Sequence, residues 1–462
     1  MKKILFFCFW LSSLFIFSQD IVWEKSFNKS RYNQFGCIRS TSDGGCILGS
    51  DFQSDYQSDT TFSDEKFHKL KGYKVWIIKL DSIGNTEWEK TYGNSNHEYF
   101  EDIQQTSDGG YILLGVKSYE AGRTETEGAV WVSNAWIVKL NSNGNIEWEK
   151  IYPESQEHTD VKIIQQTKDG GFLLGGTKSV YDTNSVPQKF NSLSDKIQFY
   201  DSKKDFYVCK INSKGEIQWR NTYGGIKADY LTCIYQLPGE GYLLGGFSDS
   251  NRDTKNKLTD EVNDLLIKID KKGKIQWEKS YRDSTNSTIT DIQPSQDGGY
   301  LLGERCSQQG RMSDFGVLKV NSKFQLQWKK YYGGSKADVL RNILPTPDGA
   351  FLLAGYTNSS DGDVKSGYRG NGDYWLVKIN AQGDILWERT YGSSTNERLG
   401  NIQRASNGGY LLGGTTGHFV GPLDGDHRYN YSPEKITESM KSDVKSKTKP
   451  KTTNIWVVKV KE

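Results

Sequence analysis

One ten-residue segment returns along this chain. TSDGGYILLG at 106–115 nearly repeats as TKDGGFLLGG at 167–176 and SQDGGYLLGE at 295–304, with looser copies elsewhere. A chain that rewrites a segment at intervals builds one supersecondary unit many times, and each unit needs its neighbours to bury its faces. Three further phrases accompany it in fixed order. One is a tryptophan followed by charge: VWEKSF (22–27), EWEKTY (87–92), EWEKIY (147–152), QWRNTY (218–223), QWEKSY (276–281), QWKKYY (327–332) and LWERTY (386–391). Another sets an isoleucine before a polar pair, as in DIQQT and NIQRA, and the last reads WIIKL, WIVKL, FYVCKI and so on to WVVKV. Each phrase occurs seven times, at a period of 51–71 residues.

Every phrase has strand character and none has helical periodicity. GYILLG and GFLLGG are short apolar runs bounded by glycine, as in strands buried on both faces. The tryptophan phrase alternates, which places Ile146, Trp148 and Tyr152 on one face and Glu147 and Glu149 on the other, a half-exposed strand. Asp108-Gly109 supplies the positive φ angles of a tight hairpin. DSIGN, NSNGN, NSKGE and AQGD put glycine near the end of a second hairpin, where a left-handed residue forms a bulge. Residue 324 is Phe where that glycine belongs, so the fifth of these turns is expected to differ.

Four antiparallel strands per unit fit a propeller blade. The chain opens with a spare tryptophan strand around Trp23 and ends with a WVVKV strand (456–460) that no tryptophan strand follows. The first strand therefore completes the last blade and pairs the two open edges. The reading is all-β: a single seven-bladed propeller over 19–462, preceded by a signal peptide at 1–18.

MKKILFFCFWLSSLFIFSQD supports that export signal: two lysines, an apolar run from Ile4 to Phe17 broken by Ser12 and Ser13, then Ser18-Gln19. The run is short for a membrane span of ~20 residues. The chain carries 59 basic and 57 acidic side chains, and losing Lys2 and Lys3 leaves it formally neutral. Neutrality argues against a nucleic-acid groove. Cys37, Cys46, Cys209, Cys233 and Cys306 form neither a disulfide framework nor a zinc pattern. Pairing around Asp43-Gly44 sets Cys46 opposite Thr41, not Cys37. The expected protein is exported to the periplasm, cell surface or medium, and is a monomer without a transmembrane segment.

These residues carry resemblances. KLDSIGNTEW (79–88) resembles the quinoprotein-type propeller repeat, with its turn and outer-strand tryptophan. Thr106, Asp108 and Gly110, and again Thr167, Asp169 and Gly171, are similar to the Asp-box of sialidase-like propellers. Over nearly all of 19–462 the chain resembles secreted bacterial β-propeller repeat proteins of the DGG/WxVKLD type, and what that likeness implies is the fold. LPGEG (237–241) and ASNGG (405–409) depart from the DGG pattern.

Antiparallel strands put alternate loops on opposite faces. The DGG and DSxGN turns share one short, regular face. The other carries the YGG-type connections and insertions at 50–74, 117–134, 178–204, 248–263, 305–313, 357–373 and 415–454, and variable loops on a rigid scaffold are where binding resides. Three groups of candidates lie there. Glu98, Asp229, Asp338 and Glu397, each five residues before the strand isoleucine, either crowd the channel mouth and hold a cation or bond to backbone amides of the neighbouring blade. Asp361, Asp363, Asn371 and Asp373 offer oxygen ligands to calcium, though glycine-rich loops also carry such residues for turns. Tyr119, Trp131, Tyr181, Tyr200, Tyr368, Phe419 and Tyr429 either present rings to sugars or peptides or are buried by their own loops. The lysine-rich segment 435–453 reads as a solvated stretch or an anion contact.

Catalysis needs a convergent set of groups, and none is recognisable. His68, His97, His158, His418 and His427 lack metal-ligand spacing, no nucleophile elbow occurs, and no organic cofactor is implied. The expected function is a non-catalytic binding protein that presents its insertion face to a protein or glycan. The alternatives are a glycan-directed hydrolase or lyase on the same propeller and a cell-envelope assembly scaffold that recruits partners by strand addition.

Overall fold

A computed structural model describes residues 21–30, 33–53, 72–94, 97–124, 128–152, 159–179, 204–225, 227–239, 241–249, 263–281, 286–307, 313–417 and 453–461. The expected export signal lies outside these residues. The described chain forms seven four-stranded antiparallel sheets arranged as the blades of a propeller. Blade one comprises Asn33–Ser40, Cys46–Gln53, Tyr73–Leu80 and Thr86–Tyr92, and blades two to six repeat the pattern. Blade seven combines Asn396–Arg404, Tyr410–Gly417 and Thr453–Val460 with the first strand of the chain, Ile21–Phe27. That closing strand runs antiparallel to Thr453–Val460, from Ile21 opposite Val460 to Phe27 opposite Ile455. The isoleucine strand of each blade is innermost and packs beside the innermost strands of both neighbouring blades, around the whole ring.

The second and third strands of each blade are buried on both faces, as the uninterrupted apolar runs require. Their side chains form clusters between blades. Ile47, Ile77 and Val75 of blade one meet Phe100, Leu113 and Trp136 of blade two. Each such buried aliphatic side chain contributes about 1.5–3 kcal/mol.

Outermost strands clasp the next blade. The ring of Trp148 lies against the Gly215 turn of blade three, as Trp88 does against Gly144 and Trp328 against Gly383. The tyrosine that ends each phrase donates to the same turn: Tyr92 to the Gly144 carbonyl at 2.7 Å, Tyr223 to Gly273 at 2.6 Å and Tyr332 to Gly383 at 2.7 Å. At the closure Trp23 meets Gly84, but Phe27 stands at the tyrosine position. Ile146 does not share the burial expected of its face. It is 50 % exposed, because a register shift sets Ile146 opposite Leu140 and Trp148 opposite Lys139 and so breaks the alternation between them.

Two turn expectations are corrected. The DGG hairpin is a five-residue turn and not a two-residue one. Gly109 N donates to the Thr106 carbonyl and Thr106 N to the Gly110 carbonyl, with positive φ at Gly109 (81°) alone of the Asp-Gly pair. The same geometry moves the first hairpin by one residue, so that Cys46 faces Ser40. Cys46 and the other four described cysteines are free thiols. The fifth bulged turn does not differ from the rest. Phe324 takes φ 58° itself, and its amide donates to the Asn321 carbonyl at 2.8 Å, as glycine does in the sister turns. Its ring stacks on Tyr300 at 5.0 Å and packs on Trp277 at 4.6 Å, which offsets the left-handed strain.

Candidate functional site

On the regular face, each DGG hairpin is locked by a lysine from the third strand. Lys79 Nζ lies 2.7 Å from Asp43, Lys139 2.9 Å from Asp108, Lys210 3.0 Å from Asp169, Lys319 2.8 Å from Asp297 and Lys378 2.7 Å from Asp348. The aspartate also accepts from the threonine and glycine of its own hairpin, as Asp108 does from Thr106 Oγ1 at 2.5 Å and Gly110 N at 2.9 Å. Partial burial pushes Asp43 and Asp108 upward, but bonds from lysine and threonine win and hold both at about 2. For Asp348 the Lys378 bond is the largest influence, and it too sits at about 2. The second glycine of DGG leaves room for the ammonium. A Cβ on Gly110 would overlap the Leu140 carbonyl and lie 2.6 Å from Lys139 Nζ. Blade six carries Ala350 there, and its Asp348 contact lengthens to 3.4 Å while Lys378 becomes 14 % exposed. The described groups of these clamps are engaged within their own blades, and neighbouring turns are tied to one another by bonds such as Ser107 N to Gln166 at 2.9 Å.

The insertion face is built differently. Glu98, Asp229, Asp338 and Glu397 are fully or almost fully buried. Each accepts an amide from the connection that leads into its own strand: Asn94 N to Glu98, Gly225 N to Asp229, Gly334 N to Asp338 and Ser393 N to Glu397. They are therefore backbone clamps of the interblade connections. Three of them face a second acid across a glycine, because Gly224 packs against Asp205 and Asp229, Gly333 against Asp314 and Asp338, and Gly392 against Asp373 and Glu397. Burial raises Asp338 and Asp373, and the Glu397 charge adds to the rise at Asp373.

The calcium candidates do not converge. Asp361 accepts Ser335 N at 2.8 Å and Asp363 accepts Gly333 N at 3.1 Å, while Asp373 accepts Arg369 N at 2.8 Å one connection away. Asn371 N bonds the Thr395 carbonyl. Among the described residues no three His, Cys, Asp or Glu side chains are grouped as a metal site.

Of the aromatic candidates, Tyr368 is half-buried beneath Lys336, whose Nζ is 5.7 Å from its ring centre. Tyr119 and Trp131 sit on a hairpin that prolongs the two middle strands of blade two, Tyr111–Thr124 and Gly128–Leu140, where Tyr119 pairs with Val132 and Trp131 with Glu120. Tyr181, Tyr200, Phe419, Tyr429 and the lysine-rich segment lie outside the described residues. Rings missed by the sequence reading come together instead at the strand ends. Tyr73, His97 and Tyr99 cluster between blades one and two, with Tyr73 and Tyr99 5.2 Å apart. Tyr230 and Phe247 stack at 4.7 Å in blade four, and Lys204 of blade three lies 5.3 Å from Tyr230. All these rings are half-buried.

The innermost strands add a polar belt. Asn401 accepts Ile38 N at 2.8 Å and Asp291 accepts Ile343 N at 2.7 Å, each from the blade that follows. These amides lie just past the strand's register shift. Arg39 pairs with Asp102 at 2.8 Å, and Cys37 Sγ donates to the same carboxylate, its thiol pushed up to about 12 by burial. No helix long and apolar enough to cross a membrane occurs among the described residues.

No family model matches the chain, and no curated protein matches it in sequence. Solved structures resemble it as propellers. A protein of unknown function from Dyadobacter fermentans is 10% identical and aligns over 96% of this chain and 99% of its own (TM-score 0.41). The Neurospora crassa Pan2 WD40 domain is 9% identical over 96% and 97% (0.45), and the Streptococcus pneumoniae NanB sialidase 11% identical over 96% and 70% (0.42). Likeness at this level concerns the fold alone.

Proposed function

We propose that this protein is an exported, non-catalytic binding propeller that takes a protein or glycan ligand on its insertion face. The observation that carries the reading is the inequality of the two faces. The regular face closes on itself through Asp–Lys clamps, whereas the insertion face gathers half-buried rings at Tyr73, His97 and Tyr99 and at Tyr230 and Phe247, flanked by cationic Lys204. Rings with one covered and one open side suit sugar rings and peptide side chains. The carboxylates that a hydrolase would need are engaged as clamps of backbone amides. The test is a glycan-array screen of the protein with and without calcium, with products checked by mass spectrometry, alongside pull-down from cell-envelope extract. Binding that is lost on Tyr230→Ala and leaves the ligand intact supports the proposal. Turnover of the ligand refutes it.

A further inference from the structure

Blade five departs from its sisters at three positions that meet in space. In blades one, two, six and seven a third-strand tryptophan donates from Nε1 to an outermost-strand glutamate: Trp76 to Glu89, Trp136 to Glu149, Trp375 to Glu388 and Trp456 to Glu24. The second-strand residue opposite that tryptophan is small: Ser50, Gly115, Gly355 or Gly414. In blade five the tryptophan position is Gly316, the small residue is Glu304, and Lys329 stands where the glutamate would be. Lys329 Nζ lies 2.8 Å from Glu304 Oε2, and the Glu304 side chain is completely buried. A carboxyl group and an ammonium thus fill the space left by an indole.

Blade four makes the matching change across the junction. The residue before the tryptophan position reaches the next blade's small residue, as Phe206 does to Gly246, Phe315 to Gly355 and Tyr374 to Gly414. In blade four that residue is Asp264, also completely buried. An aromatic ring against glycine has become one carboxyl group against another. Ser280 Oγ and Tyr281 N donate to Asp264 Oδ1 at 2.8 Å each, whereas Oδ2 is buried and is left for Glu304. Two carboxylates beside one ammonium would bury a net negative charge, and a proton retained at Glu304 removes that charge.

We propose that Glu304 is a neutral acid that faces Asp264 across the junction, and that its ionisation loosens the seam between blades four and five. The groups around it are Lys329 on the outermost strand of its own blade, Cys306 on its own strand, and Asp264 and Tyr281 from blade four. Burial is the main force holding the proton and the Asp264 charge assists, so that Glu304 titrates at about 8 although Lys329 opposes the rise. The folded state keeps a proton that the unfolded chain releases. Stability from this group is full below the ordinary carboxyl range and is lost as pH rises through about 8.

Hydrogen exchange of the full chain, corrected for the intrinsic rate, tests this between about pH 6 and about pH 9. Protection of residues 263–281 and 286–307 is expected to fall by about a hundredfold as pH rises, while residues 73–92 and 97–124 hold theirs. Glu304→Gln should abolish that pH dependence. Infrared spectra of the unmodified protein should show a protonated-carboxyl carbonyl band at neutral pH that disappears over the same interval, a readout that does not depend on the variant folding. Protection at the seam that ignores pH, a dependence that survives in Glu304→Gln, or the lack of that band would each overturn the proposal.

Discussion

Phe324 sets two opposed energies against each other in one side chain, and replacing it by glycine separates them. A left-handed non-glycine residue costs about 1–2 kcal/mol, which Phe324→Gly releases. The ring it removes is 7 % exposed and packs against Tyr300 at 5.0 Å and Trp277 at 4.6 Å. Truncating a buried phenylalanine costs about 3–5 kcal/mol, and glycine adds about 0.5–1 through the unfolded chain. Phe324→Gly should therefore destabilise by about 3 kcal/mol, and Phe324→Ala, which loses the ring but keeps the strain, by about 1 kcal/mol more. The carbonyl that accepts from Tyr281 Oη and Lys279 Nζ stays in place in both variants. Guanidinium denaturation followed by tryptophan fluorescence reads the order directly, because Trp277 lies beside the site. A Phe324→Gly variant as stable as the parent, or an alanine variant more stable than the glycine one, would refute the claim that ring stacking maintains this turn.

Asp108→Asn should cost about 1 kcal/mol at neutral pH, a modest figure because the carboxylate is 59 % exposed. Since Asp108 is held at about 2, the clamp's stability is present above the ordinary carboxyl range and lost as pH falls, so the gap to the parent should close near pH 2. An acid titration of melting temperature checks this, and a gap that persists there would count against it. Trp148→Ala should cost about 2–3 kcal/mol, less than a wholly buried tryptophan, because the ring is covered on one side by the Gly215 turn. A loss below about 1 kcal/mol would mean that the interblade clasp is idle. Removing Ile21–Phe27 bares the whole edge of Thr453–Val460 and should abolish cooperative melting, whereas an unchanged calorimetric transition would contradict closure by that strand.

The blades, their number and the closing strand were legible because each depends on local alternation and on counting phrases. What escaped depends on contacts between different hairpins and on the path of the connecting loops. Lys139 reads as a polar residue at the end of a strand, and only the fold shows it buried against an aspartate of the first hairpin of its blade. Phe324 looked like a broken turn because the ring that compensates it, Tyr300, belongs to another hairpin of its blade. Glu98 and its equivalents read as acids at a strand entrance, and whether they served ions or amides depended on a connection four residues away. Glu304 was visible all along as the one charge in a run of LLGG phrases. Departures from a repeat mark the places where neighbouring units have made a private arrangement, and Asp264 is the other half of that one.

The closing strand has a mechanical consequence. Ile21 lies opposite Val460, so the outer ends of the two paired strands emerge side by side at one end of the ladder. Tension between those ends loads the backbone bonds one at a time from that pair inward, as a zipper is opened, whereas strands whose pulled ends lay at opposite ends of the ladder would share the load along their whole length. The ring therefore resists heat and denaturant through seven sets of interblade contacts, yet yields at a single seam to a pull on its two ends.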